Sequence, residues 1–190
     1  MGMASDRLWN SAWKQLPGPA LNCSCATNVY KVEVETIKIG RTIMPTPFSG
    51  SCSCGAIRYT CTAEPYVSYV CHCTACQKRT ASAFGISLQV PSEGLSIDRG
   101  TPKTRIRIAD SGNQRIQHFC GDCGSSLLGT SEAMQHITVI YVGTLDDPSW
   151  VPIKADIWTD SALPWVPMAP GSERFAQAPN FSKYYKARQS

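Results

Sequence analysis

Ten cysteines stand in this chain of 190 residues, and nine of them fall in tight groups: Cys23-Ser24-Cys25, Cys52-Ser53-Cys54, Cys71-His72-Cys73-Thr74-Ala75-Cys76 and Cys120-Gly121-Asp122-Cys123. Disulfide frameworks spread their cysteines across loops, whereas sulfurs two or three residues apart can close on one ion. The grouping therefore predicts thiolate metal sites, and zinc is the usual partner of sulfur-rich sets. In an extended segment Cys52 and Cys54 project to one side and offer half a site. Cys120 and Cys123 offer the other half, with Gly121 and Gly124 letting the chain curl so that backbone N–H groups reach the sulfurs. These four thiolates make a closed tetrahedral set, which contributes folding energy and leaves no position for chemistry.

Cys71, Cys73 and Cys76 are a different case: three sulfurs with no obvious fourth partner in the core of the chain. A three-ligand zinc with an open position is the usual form of a catalytic site. Three thiolates make the ion a poor activator of carbonyls but a good holder of an incoming thiol, so the favoured chemistry is thiol addition. His72, Cys61, Cys23 or Cys25 could instead complete the set and make it a second structural site. His72, between two ligands on a strand-like segment, is expected to point away from the metal as a packing or supporting residue. Cys61 reads as a small buried hydrophobe, and the Cys23–Cys25 pair as a flexible thiol pair.

The elements that must position these groups read as strands. Alternating or β-branched runs occur at 29–39, 56–61, 67–71, 84–90, 104–108, 116–119, 136–142 and 153–158, separated by Gly, Pro, Ser and Asp. Residues 74–80 form the one plausible helical turn near the motifs, and 180–190 reads as a short helix or a basic tail. The expected fold is all-β with short helical turns and an irregular N-terminal extension. In domain terms this gives 1–28 as an extension, in part disordered, 29–178 as the zinc-binding β domain and 179–190 as a tail. Trp150, Trp158 and Trp165, among several prolines, could line a pocket or a homodimer contact, with core packing expected for most of them.

Composition narrows the function. Eighteen Lys+Arg against fourteen Asp+Glu leave a net charge of +4, too weak an excess to indicate nucleic acid, although it suits an anionic small molecule. No apolar run approaches the roughly 20 residues of a membrane helix, and Asp6, Arg7, Asn10 and Lys14 interrupt any signal-peptide core, so the expected compartment is the cytoplasm.

Three ordered motifs carry a resemblance: Gly50-Ser51-Cys52-Ser53-Cys54-Gly55-Ala56-Ile57-Arg58-Tyr59, then Cys71-His72-Cys73-Thr74-Ala75-Cys76-Gln77-Lys78, then Phe119-Cys120-Gly121-Asp122-Cys123-Gly124-Ser125. Over about 48–175 the chain resembles the glutathione-dependent formaldehyde-activating enzyme family, with Ile157-Trp158 and Pro164-Trp165 similar to its closing segment. The resemblance implies an Mss4-like β fold and a carbon–sulfur lyase. It also implies two zinc ions, one structural on Cys52, Cys54, Cys120 and Cys123, and one catalytic on Cys71, Cys73 and Cys76. In such enzymes glutathione adds through its sulfur to formaldehyde, giving S-hydroxymethylglutathione. The chain departs from the family at Gln77, Ala81 and Asp156, where many members carry Arg, Gly and His. Lys78, Arg79 and Arg58 remain as sources of positive charge, with solvated surface charge the commoner role of such residues. Two alternatives stand beside the lyase: a related enzyme acting on a larger metabolite in a specialised biosynthetic pathway, and a non-catalytic, zinc-stabilised binding module.

Overall fold

The computed structural model describes residues 44–109 and 112–186, which lie within one compact unit, Arg41–Ser190. The 1–28 extension with Cys23 and Cys25, the expected strand at 29–39 and the last four residues lie outside the described residues.

Strands β1 (Phe48–Ser51), β2 (Arg58–Cys61) and β5 (Leu95–Arg99) make a small antiparallel sheet in the order β1-β2-β5. A second sheet holds β3 (Val67–Cys71), β4 (Gly85–Pro91), β6 (Lys103–Ile108), β7 (Gln114–Phe119), β8 (Ser126–Ser131), β9 (Ile137–Tyr141), β10 (Ala155–Ile157) and β11 (Glu173–Phe175). Its order is β11-β10-β3-β4-β9-β8-β7-β6, antiparallel except where β10 pairs with β3 and β11. The helices are short: α1 (Thr74–Thr80) and α2 (Ser182–Lys186). No helix among the described residues is long and apolar enough to cross a membrane. The all-β expectation therefore holds, and each expected strand in the described range has a counterpart.

Four strands were not expected: β1, β5, β8 and β11. Apart from the Leu-Ser-Ile-Asp of β5, their sequences lack a clean alternation, and they become strands through the neighbours they pair with. In β1 the short run Phe-Ser-Gly-Ser pairs with β2 because Gly50 leaves space that others occupy. A Cβ there would lie 2.3 Å from both the Thr144 carbonyl oxygen and the Tyr59 hydroxyl.

Pleating gives the large sheet two unlike faces. Leu88, Val90, Ile140 and Leu128 pack with Phe48, Ile57 and Tyr59 of the small-sheet side in the main core, each large side chain contributing about 1.5–3 kcal/mol by leaving water. The other face carries Cys71, Tyr69, Ser87, Gln89 and Tyr141, residues that are opposite one another in register or two apart on one strand. The C-terminal segment packs on part of this second face: Phe181 stacks on Tyr69 with ring centroids 5.1 Å apart, and the Tyr185 hydroxyl donates to Gln89 Oε1 at 2.7 Å. Of the three tryptophans, Trp150 packs on Phe48 and Trp158 is half-buried, whereas Trp165 is 72% exposed and does not join the core.

Candidate metal centres

The first cluster sits where two turns meet. Cys52 and Cys54 follow β1, and Cys120 and Cys123 follow β7, so the four sulfurs join the small sheet to the large one. Sequence reasoning placed Cys52 and Cys54 on an extended segment; instead the chain turns there, with the Gly55 N–H donating to the Cys52 carbonyl at 2.9 Å and Gly55 at φ +74°. The turn, rather than a pleat, brings the two sulfurs together, and the N–H of the intervening Ser53 donates to Ser125 Oγ of the second turn at 3.1 Å. There the Gly124 N–H donates to the Cys120 carbonyl at 3.0 Å with φ +75°, a left-handed conformation that glycine adopts without a Cβ clash. Gly121 has a different reason to be small: a Cβ would lie 2.7 Å from the Lys103 stem.

All four sulfurs lie within 4.8 Å of one another, with Cys52–Cys54 at 3.5 Å and Cys54–Cys120 at 3.8 Å. Tetrahedral bonds of about 2.3 Å put sulfurs roughly 3.8 Å apart, so the set fits a zinc-sized ion. Backbone and hydroxyl donors surround it: the Ile57 N–H points at Cys52 Sγ at 3.2 Å, and Ser125 Oγ lies 3.2 Å from Cys123 Sγ. The Ser125 and Ser53 hydroxyls draw the Cys123 thiol down to about 5. Cys54 is pushed up to about 12: the Ala56 backbone lowers it, but the neighbouring sulfurs of Cys52 and Cys123 outweigh that.

The second cluster is local. Cys71 ends β3, Cys73 caps α1, and Cys76 lies in its first turn; their three sulfurs also lie within 4.8 Å of one another. The Cys76 N–H points at Cys73 Sγ at 3.4 Å, replacing the hydroxyl or carboxylate that usually caps a helix. The thiols of Cys71 and Cys76 donate to Cys73 and draw it down to about 2, and the same contacts hold Cys71 far above the ordinary thiol range. Such a set takes up a cation by shedding protons, as a thiolate site must. Among the described residues no fourth ligand joins these three. Cys61 is wholly buried in the main core, apart from both clusters.

His72 points away from the sulfurs, as its position between them requires. It is fully buried, and its Nε2 lies 2.9 Å from Asp156 Oδ1, while Nδ1 has no partner among the described residues. Asp156 Oδ2 accepts from the Ala169 N–H at 3.2 Å and from the Ser172 hydroxyl. Asp156 is therefore a buried anchor for the β3–α1 junction, not a free carboxylate facing a ligand. Gln77 serves the same junction, donating through Nε2 to the carbonyls of His72 at 2.8 Å and Ser161 at 2.9 Å. Ala81 closes α1 in the left-handed conformation, φ 50°, with its N–H on the Gln77 carbonyl. That is a helix-ending position glycine favours, so the residue there is a cap and not a hinge.

Of the basic residues, Arg58 is taken up by Asp146 at 2.6 Å on the small-sheet side. Arg79 stands at the second cluster, with a guanidinium nitrogen 3.8 Å from Cys76 Sγ and its carbon 3.7 Å from the centre of the Tyr141 ring. Tyr141 was not among the residues singled out from sequence; its signal is the period-two placement that puts it on the Cys71 face.

The family model described as glutathione-dependent formaldehyde-activating enzyme matches residues 47–161, more than half of the chain, including all seven cysteines of the two clusters. The chain belongs to this family. A Penicillium rubens protein provisionally named a glutathione-dependent formaldehyde-activating enzyme is 28% identical over 117 residues, covering 55% of this chain and 60% of that protein's length. A crystal structure of a Rhodobacter sphaeroides protein aligns with a TM-score of 0.42 at 17% identity, covering 67% of this chain and 98% of that chain. The chain is thus a member of this family with two cysteine clusters able to hold metal ions.

Proposed function

We propose that this protein is a zinc-dependent carbon–sulfur lyase that joins, and in reverse separates, a small thiol of the glutathione kind and an aldehyde. Cys52, Cys54, Cys120 and Cys123 would hold a structural zinc, and Cys71, Cys73 and Cys76 a catalytic one. The observation that carries the reading is the contrast between the clusters: four sulfurs bridging two sheets in one, and three sulfurs on one short segment in the other. A zinc ion bound by the three sulfurs would supply Lewis acidity that keeps an incoming thiol ionised yet nucleophilic.

The remaining work falls to side chains. In the forward direction the thiol S–H bond breaks, a C–S bond forms at the aldehyde carbon, and the carbonyl oxygen takes up a proton, so the hemithioacetal holds every atom of the two reactants. The Arg79 guanidinium, beside Cys76 and over Tyr141, places fixed positive charge at the edge of the three-cysteine cluster, where negative charge on an incoming thiol or on the aldehyde oxygen would be stabilised. His72, Asp156 and Gln77 fix the β3–α1 junction, so the three cysteines keep their mutual positions while substrates come and go.

The test is the zinc-loaded protein with glutathione and formaldehyde, followed by exchange NMR between free and adduct signals. Acceleration over the spontaneous reaction, lost in Cys76→Ser while the four-cysteine site keeps its metal, is the expected result. No acceleration with two zinc ions bound would reject the formaldehyde reaction. A cobalt-substituted three-cysteine site that no thiol perturbs would favour a purely scaffolding role.

A further inference from the structure

Helix α1 carries two basic residues side by side, and they differ in placement. Lys78 is exposed, whereas Arg79 is half-buried, with Nη2 3.8 Å from Cys76 Sγ. None of the ion pairs among the described residues takes Arg79 up. Its seat is made instead by two residues of the sheet beneath the helix. The guanidinium carbon lies 3.7 Å from the centre of the Tyr141 ring, and a Cβ on Gly85 would come 2.6 Å from the same Nη2 that faces Cys76.

Both seat residues stand on the Cys71 face of the large sheet. Gly85 opposes Cys71 in the β3–β4 ladder, and Tyr141 opposes Ser87, two residues along β4. The Cβ that Gly85 lacks would meet Cys76 Cβ at 3.5 Å and Thr80 Cγ2 at 3.6 Å, which are ordinary contact distances. Only the guanidinium would have to move, so the missing methyl makes room for Arg79 rather than for the helix. Tyr141 is seated in turn, because a Cβ on Gly129 would come 2.9 Å from its hydroxyl. Burial pushes the Tyr141 phenol above its ordinary 10, so the ring is uncharged at neutral pH. A ring face attracts a cation without cancelling its charge, as a carboxylate would. Held in this way, Arg79 keeps its positive charge beside the sulfurs.

We propose that Tyr141 and Gly85 are positioning residues that hold the Arg79 guanidinium against the three-cysteine cluster, and that a thiolate bound there is stabilised through this seat. This assignment rests on the reading of the three cysteines as the thiol site. An unseated arginine on a short surface helix extends into water, where its charge is screened. The seat turns a solvated side chain into a fixed charge, the kind that needs no reorganisation when negative charge arrives.

Cobalt-loaded protein titrated with β-mercaptoethanol, whose only ionisable group is the thiol, tests this through the cobalt spectrum. Arg79→Gln is expected to weaken thiol binding about tenfold, the size of a lost charged contact. Tyr141→Leu and Gly85→Ala should each weaken it about three- to tenfold with both metals still bound. Gly85→Ala reaches the same guanidinium without touching the tyrosine, so the outcome does not hang on the folding of one variant. Tyr141→Phe keeps the ring and should stay within about twofold of wild type, and Lys78→Gln should change nothing. The deciding comparison is Tyr141→Leu/Arg79→Gln, which should bind no more weakly than Arg79→Gln alone. Additive losses in that double variant, or wild-type affinity in Arg79→Gln, Tyr141→Leu or Gly85→Ala, would overturn the positioning role and leave the thiol site standing. A wild-type spectrum that no thiol perturbs would instead sink the thiol reading, and the seat with it.

Discussion

Removing the Asp156 carboxylate should be among the most damaging single changes outside the cysteines. The residue is 1% exposed, and it accepts from His72 Nε2, the Ala169 N–H and the Ser172 hydroxyl. In Asp156→Ala the imidazole and the Ala169 amide lose their acceptor in a buried setting, while Ser172 retains the Ala169 carbonyl at 2.8 Å as an alternative. Each donor left unmade in a buried setting costs about 1–3 kcal/mol, and two lose their acceptor here. Values above the minimum of that range apply, because β10 and β3 are held together beneath this contact. Asp156→Asn keeps one acceptor oxygen and should cost about 1 kcal/mol, with the alanine variant at about 3–5 kcal/mol. At about 4 °C per kcal/mol for a domain of this size, the alanine variant should melt roughly 12–20 °C lower. Urea unfolding of metal-loaded protein measures this, with equal slopes required for the comparison. A cycle with His72→Ala should show a coupling of about 1 kcal/mol or more. An Asp156→Ala protein within about 1 kcal/mol of wild type, or additive with His72→Ala, would refute the anchoring role.

Three further outcomes follow from particular positions. Ala81→Gly should stabilise the protein by up to about 1 kcal/mol, since the left-handed helix end no longer strains a Cβ; thermal melts decide it, and a loss would mean the cap is not formed. Gly50→Ala should destabilise by about 1–3 kcal/mol, because the new methyl collides with the fully buried Tyr59 and the Thr144 carbonyl; a neutral variant would show that β1 can shift. Asp146 has its carboxyl held below the ordinary 3.8 by the Ser49 hydroxyl and by Arg58. A depressed acid contributes stability above its unfolded value that is lost as the pH falls through the folded one, so the contribution fades below about pH 3.8. At an exposed site it is less than about 1 kcal/mol. Asp146→Asn should therefore flatten that part of the acid unfolding curve and change little at pH 7.

The grouping of the cysteines was legible because much of it is written in local spacing. Cys71, Cys73 and Cys76 fall on a strand end and one helical turn, and no distant residue is needed to bring them together. The division into four sulfurs and three was also legible, since Cys120-Gly121-Asp122-Cys123-Gly124 carries its own turn chemistry. Strands such as β3, β4 and β9 announced themselves by Val, Ile and Tyr content. β1, β8 and β11 did not, because short runs with Gly, Ser or charged residues become strands only when a neighbour supplies the hydrogen bonds.

What the chain could not state in one dimension is which side chains share a face after pairing. Asp156 read only as a position where the chain departs from the family; the fold buries it against His72, 84 residues earlier. Gln77 and Ala81 read as departures from a family pattern and became a tether and a cap. Arg107, Arg115, Gly129 and Tyr141 acquire a common surface with Cys71 only through five successive strand registers. Local spacing fixes which sulfurs of one segment can share an ion, because the chain between them is short, while joining Cys52 and Cys54 to Cys120 and Cys123 takes the fold. Register is a long-range cooperative choice, and it alone decides what surrounds that ion.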